Sequence, residues 1–297
     1  NMNMLRVWGG GIYENDDFYN LCDSLGIYVW QDFMFAGQMV PGDDAFFENV
    51  KQEVKYQVKR LRHHKSIVLW CGNNEIDEAW NRWGWQKQFN INQKDSVKLW
   101  TDYKRLFRDS IPKWVKEVDP SRPYISTSPK YGWGVKNSFI EGDSHYWGVW
   151  WGEFPFEVYN EKVPRFASEY GFQGMPSLET VKSMFSGKSD LSLENPTIKA
   201  HEKNARGFEI IQKYMERNYA VPKDFVKYNY VSQLLQARGM QIAIEAHRRA
   251  KPYNMGTLYW QLNDCWPVIS WSSIDYLGNW KALHYQVKRS FENQIIL

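Results

Sequence analysis

The sequence predicts an α/β fold in which helices wrap a parallel sheet. Seven short apolar runs alternate with helical patterns, and the length of 297 residues suits one large barrel or two ordinary domains. No repeat, low-complexity tract or Gly/Ser linker interrupts the alternation. The predicted strands are residues 4–8, 27–31, 67–71, 124–127, 144–147, 165–169 and 256–261. Together they point to a (β/α)8 barrel.

Helical patterns fill the gaps. The first covers residues 17–25 and stops at Gly26, in the position where a left-handed residue ends a helix. In the second, Phe47, Val50, Val54, Val58 and Leu61 recur at spacings of three and four behind the cap candidates Asp43 and Asp44. A third runs over about 96–118, ends before Asp119-Pro120, and is expected to kink at Pro112. Between the sixth and seventh runs lies far more chain than one helix needs, with patterns around 200–219 and 225–250. The region 172–254 therefore reads as a helical insertion in the barrel wall or an elaborated loop of one domain spanning 1–297.

Composition excludes several classes. A hydrophobic share of 43% belongs to a globular chain with a sizeable core. Thirty-seven basic against 34 acidic residues leave a charge of +3 with no single basic block, so nucleic acid is not indicated. The basic stretch 59–65 reads as a solvated helix end. No apolar run reaches the roughly eighteen residues of a membrane span. Cys22, Cys71 and Cys265 show no paired spacing and read as buried thiols. The six histidines carry no metal-binding pattern, so neither metal nor cofactor is expected. Gly9-Gly10-Gly11 reads as a tight loop, because a dinucleotide fingerprint wants Gly where Glu14 stands. The aromatic share of 17%, with 16 Trp, fits either a sugar-binding cleft or an aromatic core. The chain opens on Asn without a signal-peptide pattern and reads as a piece of a longer protein. It has no Asn-x-Ser/Thr acceptor with a permitted middle residue, which favours a bacterial, periplasmic or secreted setting over a glycosylated lysosomal one.

Catalytic groups of a barrel sit just past the C-terminal ends of its strands. Two strand ends there carry a carboxylate followed by turn residues: Gly72-Asn73-Asn74-Glu75, and Glu169-Tyr170-Gly171. A lone strand-end carboxylate often serves only as an ion-pair partner. A pair at roughly 5–5.5 Å cleaves a glycosidic bond with retention, one attacking the anomeric carbon and the other protonating the leaving oxygen. In such a pair the ionised nucleophile keeps its partner protonated by like-charge repulsion, until esterification removes that charge.

Asn73-Asn74-Glu75 and Ser168-Glu169-Tyr170-Gly171 resemble the acid/base and nucleophile motifs of glycoside hydrolase family 2. The resemblance covers essentially the whole chain, up to Trp280-Lys281-Ala282-Leu283-His284-Tyr285, which is similar to the last helix of that family's barrel. It implies that 67–71 and 165–169 are strands four and seven, and that the first strand lies upstream. Three segments resemble the β-mannosidases of the family: Leu5-Arg6-Val7-Trp8-Gly9-Gly10-Gly11-Ile12-Tyr13-Glu14, Val29-Trp30-Gln31-Asp32-Phe33-Met34-Phe35-Ala36, and Tyr259-Trp260-Gln261-Leu262-Asn263-Asp264-Cys265-Trp266-Pro267. The galactosidase pattern has a Ser-His-Tyr-Pro-like sequence at Trp8–Gly11, and the exo-glucosaminidases have Asp at the acid/base position.

The resemblance implies Glu75 as general acid/base, Glu169 as nucleophile and Asn74 as a hydrogen-bond partner of the sugar 2-hydroxyl. It places Trp8 and Trp260 as walls of the sugar site. Asp32 is expected to accept from sugar hydroxyls and Arg6 to orient a carboxylate. Trp83 and Trp147 are further substrate-binding candidates; His145 is either another or a buried, hydrogen-bonded histidine. Trp100 and Trp114, on helices, read as packing. The expected substrates are β-mannoside oligosaccharides or glycoconjugates. Another β-glycosidase of the family and a non-catalytic sugar-binding module are the alternatives. The family also implies β-sandwich domains ahead of the barrel. Their absence, with two unpaired barrel edges, predicts poor activity for the 297 residues alone.

Overall fold

Residues 2–187 and 190–295 are described by a computed structural model. The contacts gather into two units, Met2–Ser138 with Gly142–Ser144, and Phe139–Glu141 with the chain from His145 onward.

In the first unit, β1 (Met4–Val7), β2 (Tyr28–Asp32), β3 (Ile67–Cys71) and β4 (Tyr124–Ile125) form a parallel sheet in chain order. The helices are α1 (Asp16–Leu25), α2 (Asp44–Leu61), α3 (Ile76–Arg82), α4 (Trp85–Gln88), α5 (Gln93–Lys104) and α6 (Ile111–Val118). The ends of α1 and the start of α2 have local reasons. Asn15 accepts from Phe18 N at the head of α1, which ends at Gly26 with φ 67°. Asp43 accepts from Phe46 N at 2.9 Å to open α2. The apolar stripe of α2, from Phe47 to Leu61, is wholly buried and meets Val29, Ile67, Trp70 and Phe107 in one core.

The expected helix over 96–118 is three segments rather than one kinked rod. Between α5 and α6, residues Arg105–Ser110 take a π-helical turn, in which Ile111 N–H reaches Leu106 O, five residues back. Pro112 explains the change: it has no N–H to give, and its ring bars the usual carbonyl position. Trp100 stacks on Tyr103 with centroids 4.7 Å apart, and Trp114 packs against the core, as helix-borne packing residues do. The basic stretch after α2 is more than a solvated end. His64 is buried with Nδ1 2.7 Å from Asp23, and Arg122 donates to the Arg62 and His64 carbonyls.

The second unit contains β6 (Ala167–Glu169), paired in a two-stranded sheet with β5 (Ser144–His145), of which His145 belongs to this unit. Its helices are α7 (Leu178–Ser183), α8 (Pro196–Ala200), α9 (Gly207–Asn218), α10 (Phe225–Arg249) and α11 (Ala282–Ser290). The region 172–254, expected as an insertion, supplies much of this unit's core; its residues 188 and 189 lie outside the described residues. Helix α10 packs on α11 and on the 3-10 turn Phe156–Asn160.

The run 256–261 is not a strand. It makes one isolated parallel bridge, Ala167 with Thr257. Leu258 N donates to Ala167 O and Trp260 N to Tyr170 O, so two residues on one side span three on the other and the ladder breaks. The Trp260–Gln261 peptide is cis. Cys265 is exposed, not buried like Cys22 and Cys71. Its neighbour Asp264 turns inward to accept from Ser270 and Ser272, which leaves Cys265 facing out.

Leu61 closes the buried stripe of α2 with no exposed surface. Leu61→Ala is expected to lower stability by about 2–5 kcal/mol through the cavity it leaves, read as a lower urea midpoint at unchanged slope.

Candidate active site

The first unit brings Arg6, Asp32, Asn74 and Glu75 into one hydrogen-bonded chain. Asp32 ends β2 with no exposed surface. Its carboxylate accepts from Arg6 Nη2 at 2.8 Å, Arg6 Nε at 3.3 Å, Trp30 Nε1 at 2.9 Å and Gly9 N at 3.0 Å. Those four donors match the acceptor capacity of a carboxylate. Arg6 Nη2 also donates to Asn74 Oδ1 at 3.0 Å. A guanidinium only donates, so the Asn74 oxygen must face it, and the Asn74 amide nitrogen is left to point at Glu75 Oε2, 3.3 Å away. The guanidinium lies 5.3 Å from the Trp30 ring centroid.

Glu75 stands just past β3, held at φ 61°, a left-handed conformation costly for a side-chain-bearing residue. It occupies the N-cap position of α3 yet makes no side-chain cap bond. Asn73 caps the helix instead. Its Oδ1 accepts from Ile76 N at 3.1 Å and Thr127 Oγ1 at 3.0 Å, and its Nδ2 donates to Ser126 O at 2.8 Å. The Glu75 carboxylate is thereby spared from capping. Asn73 was not singled out from the sequence as a working residue, although its place one step ahead of Asn74-Glu75 was the available signal.

Trp8 lies one residue beyond β1 and is half-buried. The loop after it folds back so closely that a Cβ on Gly10 would stand 2.0 Å from the indole, which accounts for part of the glycine run. Trp83 caps the C-terminal end of α3, is 48% exposed, and meets Trp85 edge-on at 6.1 Å.

The second unit holds Glu169, His145, Trp147 and Trp260. Glu169 ends β6 and is 6% exposed. Its Oε1 accepts from Trp147 Nε1 at 3.2 Å, and its Oε2 lies 3.6 Å from Nδ1 of the buried His145. Its carbonyl accepts from Tyr146 N at 2.9 Å. Tyr170 is fully buried, so its phenol is pushed well above the ordinary range, and it shares a 2.6 Å hydrogen bond with Thr257. Thr257 also meets His247 Nδ1 at 2.9 Å. Trp260 is half-buried, and its carbonyl would lie 2.2 Å from a Cβ on Gly171, so a glycine is required two residues past Glu169.

No family model matches the chain. The chain is 37% identical to a β-mannosidase of Rattus norvegicus over 98% of its own length and 35% of that protein's. It is 41% identical to the solved β-D-mannosidase of Dictyoglomus thermophilum, with a TM-score of 0.87, covering 97% of this chain and 34% of that one. An exo-chitosanase of Amycolatopsis orientalis, 17% identical, shares the fold with a TM-score of 0.66 over 97% of this chain and 33% of its own. The α/β fold is similar to that of the β-D-mannosidase of Dictyoglomus thermophilum. Over nearly its whole length the chain is similar to part of these β-mannosidases. It spans about a third of the length of the relatives it matches.

Two outcomes follow from this geometry. Asp32→Ala strands the buried Arg6 guanidinium without its counter-charge and is expected to lower stability by about 3–5 kcal/mol, measurable by denaturant unfolding. Burial lowers the pKa of His247 from 6.5 to about 3. The unfolded chain therefore takes up this proton below about 6.5 while the native chain refuses it. Stability from this group is present above 6.5 and lost as pH falls toward 3. His247→Gln is expected to narrow the gap between urea midpoints at about pH 7 and pH 4.

Proposed function

We propose that this chain is the catalytic part of a retaining exo-β-mannosidase, removing terminal β-D-mannose from the non-reducing ends of oligosaccharides or glycoconjugates. The observation that carries the reading is the pair of strand-end glutamates, each with one carboxylate oxygen held by a neighbouring donor: Glu75 by Asn74, Glu169 by Trp147. In this reading the fold is a (β/α)8 barrel in which β3 and β6 are strands four and seven, and 1–297 is one catalytic domain.

Glu169 attacks the anomeric carbon while Glu75 gives its proton to the departing oxygen, so the glycosidic bond breaks as a glycosyl ester forms. Glu75, now a carboxylate, takes a proton from water, whose oxygen displaces Glu169 and restores the starting configuration. Asn74 offers its amide N–H to the 2-hydroxyl, since Arg6 holds the amide oxygen away. That contact strengthens as charge develops on the ring. Asp32, saturated by protein donors, acts on the sugar through Arg6. Trp8 and Trp260 wall the mannose, His145 and Trp147 border the nucleophile, and Trp83 serves the same cleft.

The rate of the intact enzyme carrying this segment is expected to fall by about 10²–10⁴ with Glu75→Ala, more gently for aryl mannosides whose leaving groups need little protonation. A 2-deoxy-2-fluoro mannosyl fluoride is expected to form an adduct on Glu169, seen by peptide mass spectrometry. A panel of aryl β-glycosides decides the substrate: faster turnover of the galactoside or glucoside would replace mannose in this proposal. Sugar binding without turnover, unchanged in Glu75→Ala and Glu169→Ala, would replace the enzyme with a binding module.

A further inference from the structure

We infer that Gln236 is a positioning residue for the nucleophile, acting through Trp271 and Trp147; the inference rests on Glu169 being that nucleophile. Gln236 sits in the middle of α10, fully buried. Its Nε2 donates to three carbonyls, Phe172 O at 2.8 Å, Trp271 O at 3.1 Å and Ser272 O at 3.1 Å. An amide nitrogen carries two hydrogens, so one of them is shared. A single atom thus ties the chain just past Glu169 to a stretch about a hundred residues later.

What that stretch carries gives the tie its meaning. The Trp271 ring stands edge-on to Trp147, centroids 6.2 Å apart, and edge-on to Trp150 at 5.6 Å. Trp147 Nε1 is the donor to Glu169 Oε1. The clamp therefore fixes both ends of one assembly, the backbone leaving the nucleophile and the indole that buttresses the nucleophile's donor. If the 271–272 backbone drifts, Trp271 moves, Trp147 tilts, and Glu169 loses the aim of its attacking oxygen. Glutamine suits the position because it is long, uncharged and rich enough in hydrogens for several carbonyls; a carboxylate there would face three oxygens with none to give.

The same face of α10 provides an internal control. Ser232, one turn earlier, accepts from Met175 N at 3.1 Å, and Asn229 donates to Pro176 O at 2.9 Å. Both grip the same departing segment farther along, and neither touches Trp271 by hydrogen bond. A merely structural role for α10 would make Ser232 and Gln236 equivalent.

The experiment measures inactivation by 2-deoxy-2-fluoro mannosyl fluoride, which reports the nucleophile's attack, in the intact enzyme carrying this segment. Gln236→Met keeps the length and removes the donors. Its inactivation rate and kcat are expected to fall about 10–100-fold with KM for an aryl β-mannoside changed less than about threefold, while Ser232→Ala stays within about threefold of the parent. Trp271→Phe keeps the clamp and shrinks the buttress, is expected to slow inactivation about tenfold, and stands in if Gln236→Met fails to fold. Parental rates in the folded Gln236 and Trp271 variants, or equal slowing in Ser232→Ala, would overturn the inference. Labelling of the parent at a residue other than Glu169 would remove the nucleophile reading itself, and this inference with it.

Discussion

A guanidinium donates and never accepts, and much of the first unit follows from where Arg6 places that one-sided chemistry. Its fork takes up one side of Asp32, and its remaining donor decides which way the Asn74 amide points. Backbone register makes this possible. Arg6 pairs with Trp30 across β1 and β2, and Asp32 with Cys71 across β2 and β3, so three parallel strands deliver their ends to one level. Taking a full charge out of water is tolerable here because it arrives with its counter-charge and every acceptor filled. The arrangement gains orientation more than stability: an amide that could sit in two ways is left with one.

The second unit surrounds its strand-end carboxylate with aromatic side chains. Glu169 is approached by an indole N–H and by His145, and the aromatic rings behind them meet edge to face. Such contacts are individually small and strongly directional. They hold position only if the backbones carrying the rings are themselves held, which is the service that α10 renders through its buried polar face.

The parts of the fold that depend on near neighbours were legible in the sequence. The stripe of α2, its Asp43 cap and the stop at Gly26 involve residues a few positions apart, and periodicity finds them. The strand-end placement of the two glutamates was legible because a strand followed by turn residues is also a local pattern. What escaped depends on distant partners. The broken ladder at 256–261 is settled by what that segment pairs with. Gln236 looks like any helical glutamine until the carbonyls it meets are known. Cys265 sits among apolar neighbours in sequence, yet a single inward turn of Asp264 puts it in solvent.

With Glu75 as the proposed acid, its left-handed backbone sets the interests of folding and of chemistry against each other. For folding alone, the best occupant of φ 61° is glycine, or asparagine, whose short side chain tolerates that region. Since Asn73 already caps α3, the helix asks nothing of the side chain at 75. A lineage that lost its need for the reaction could therefore drift to glycine at this position and come out with a sounder protein. On the proposed reading the position marks whether a relative still works, because only a chain that still needs the acid keeps a glutamate where the backbone prefers none.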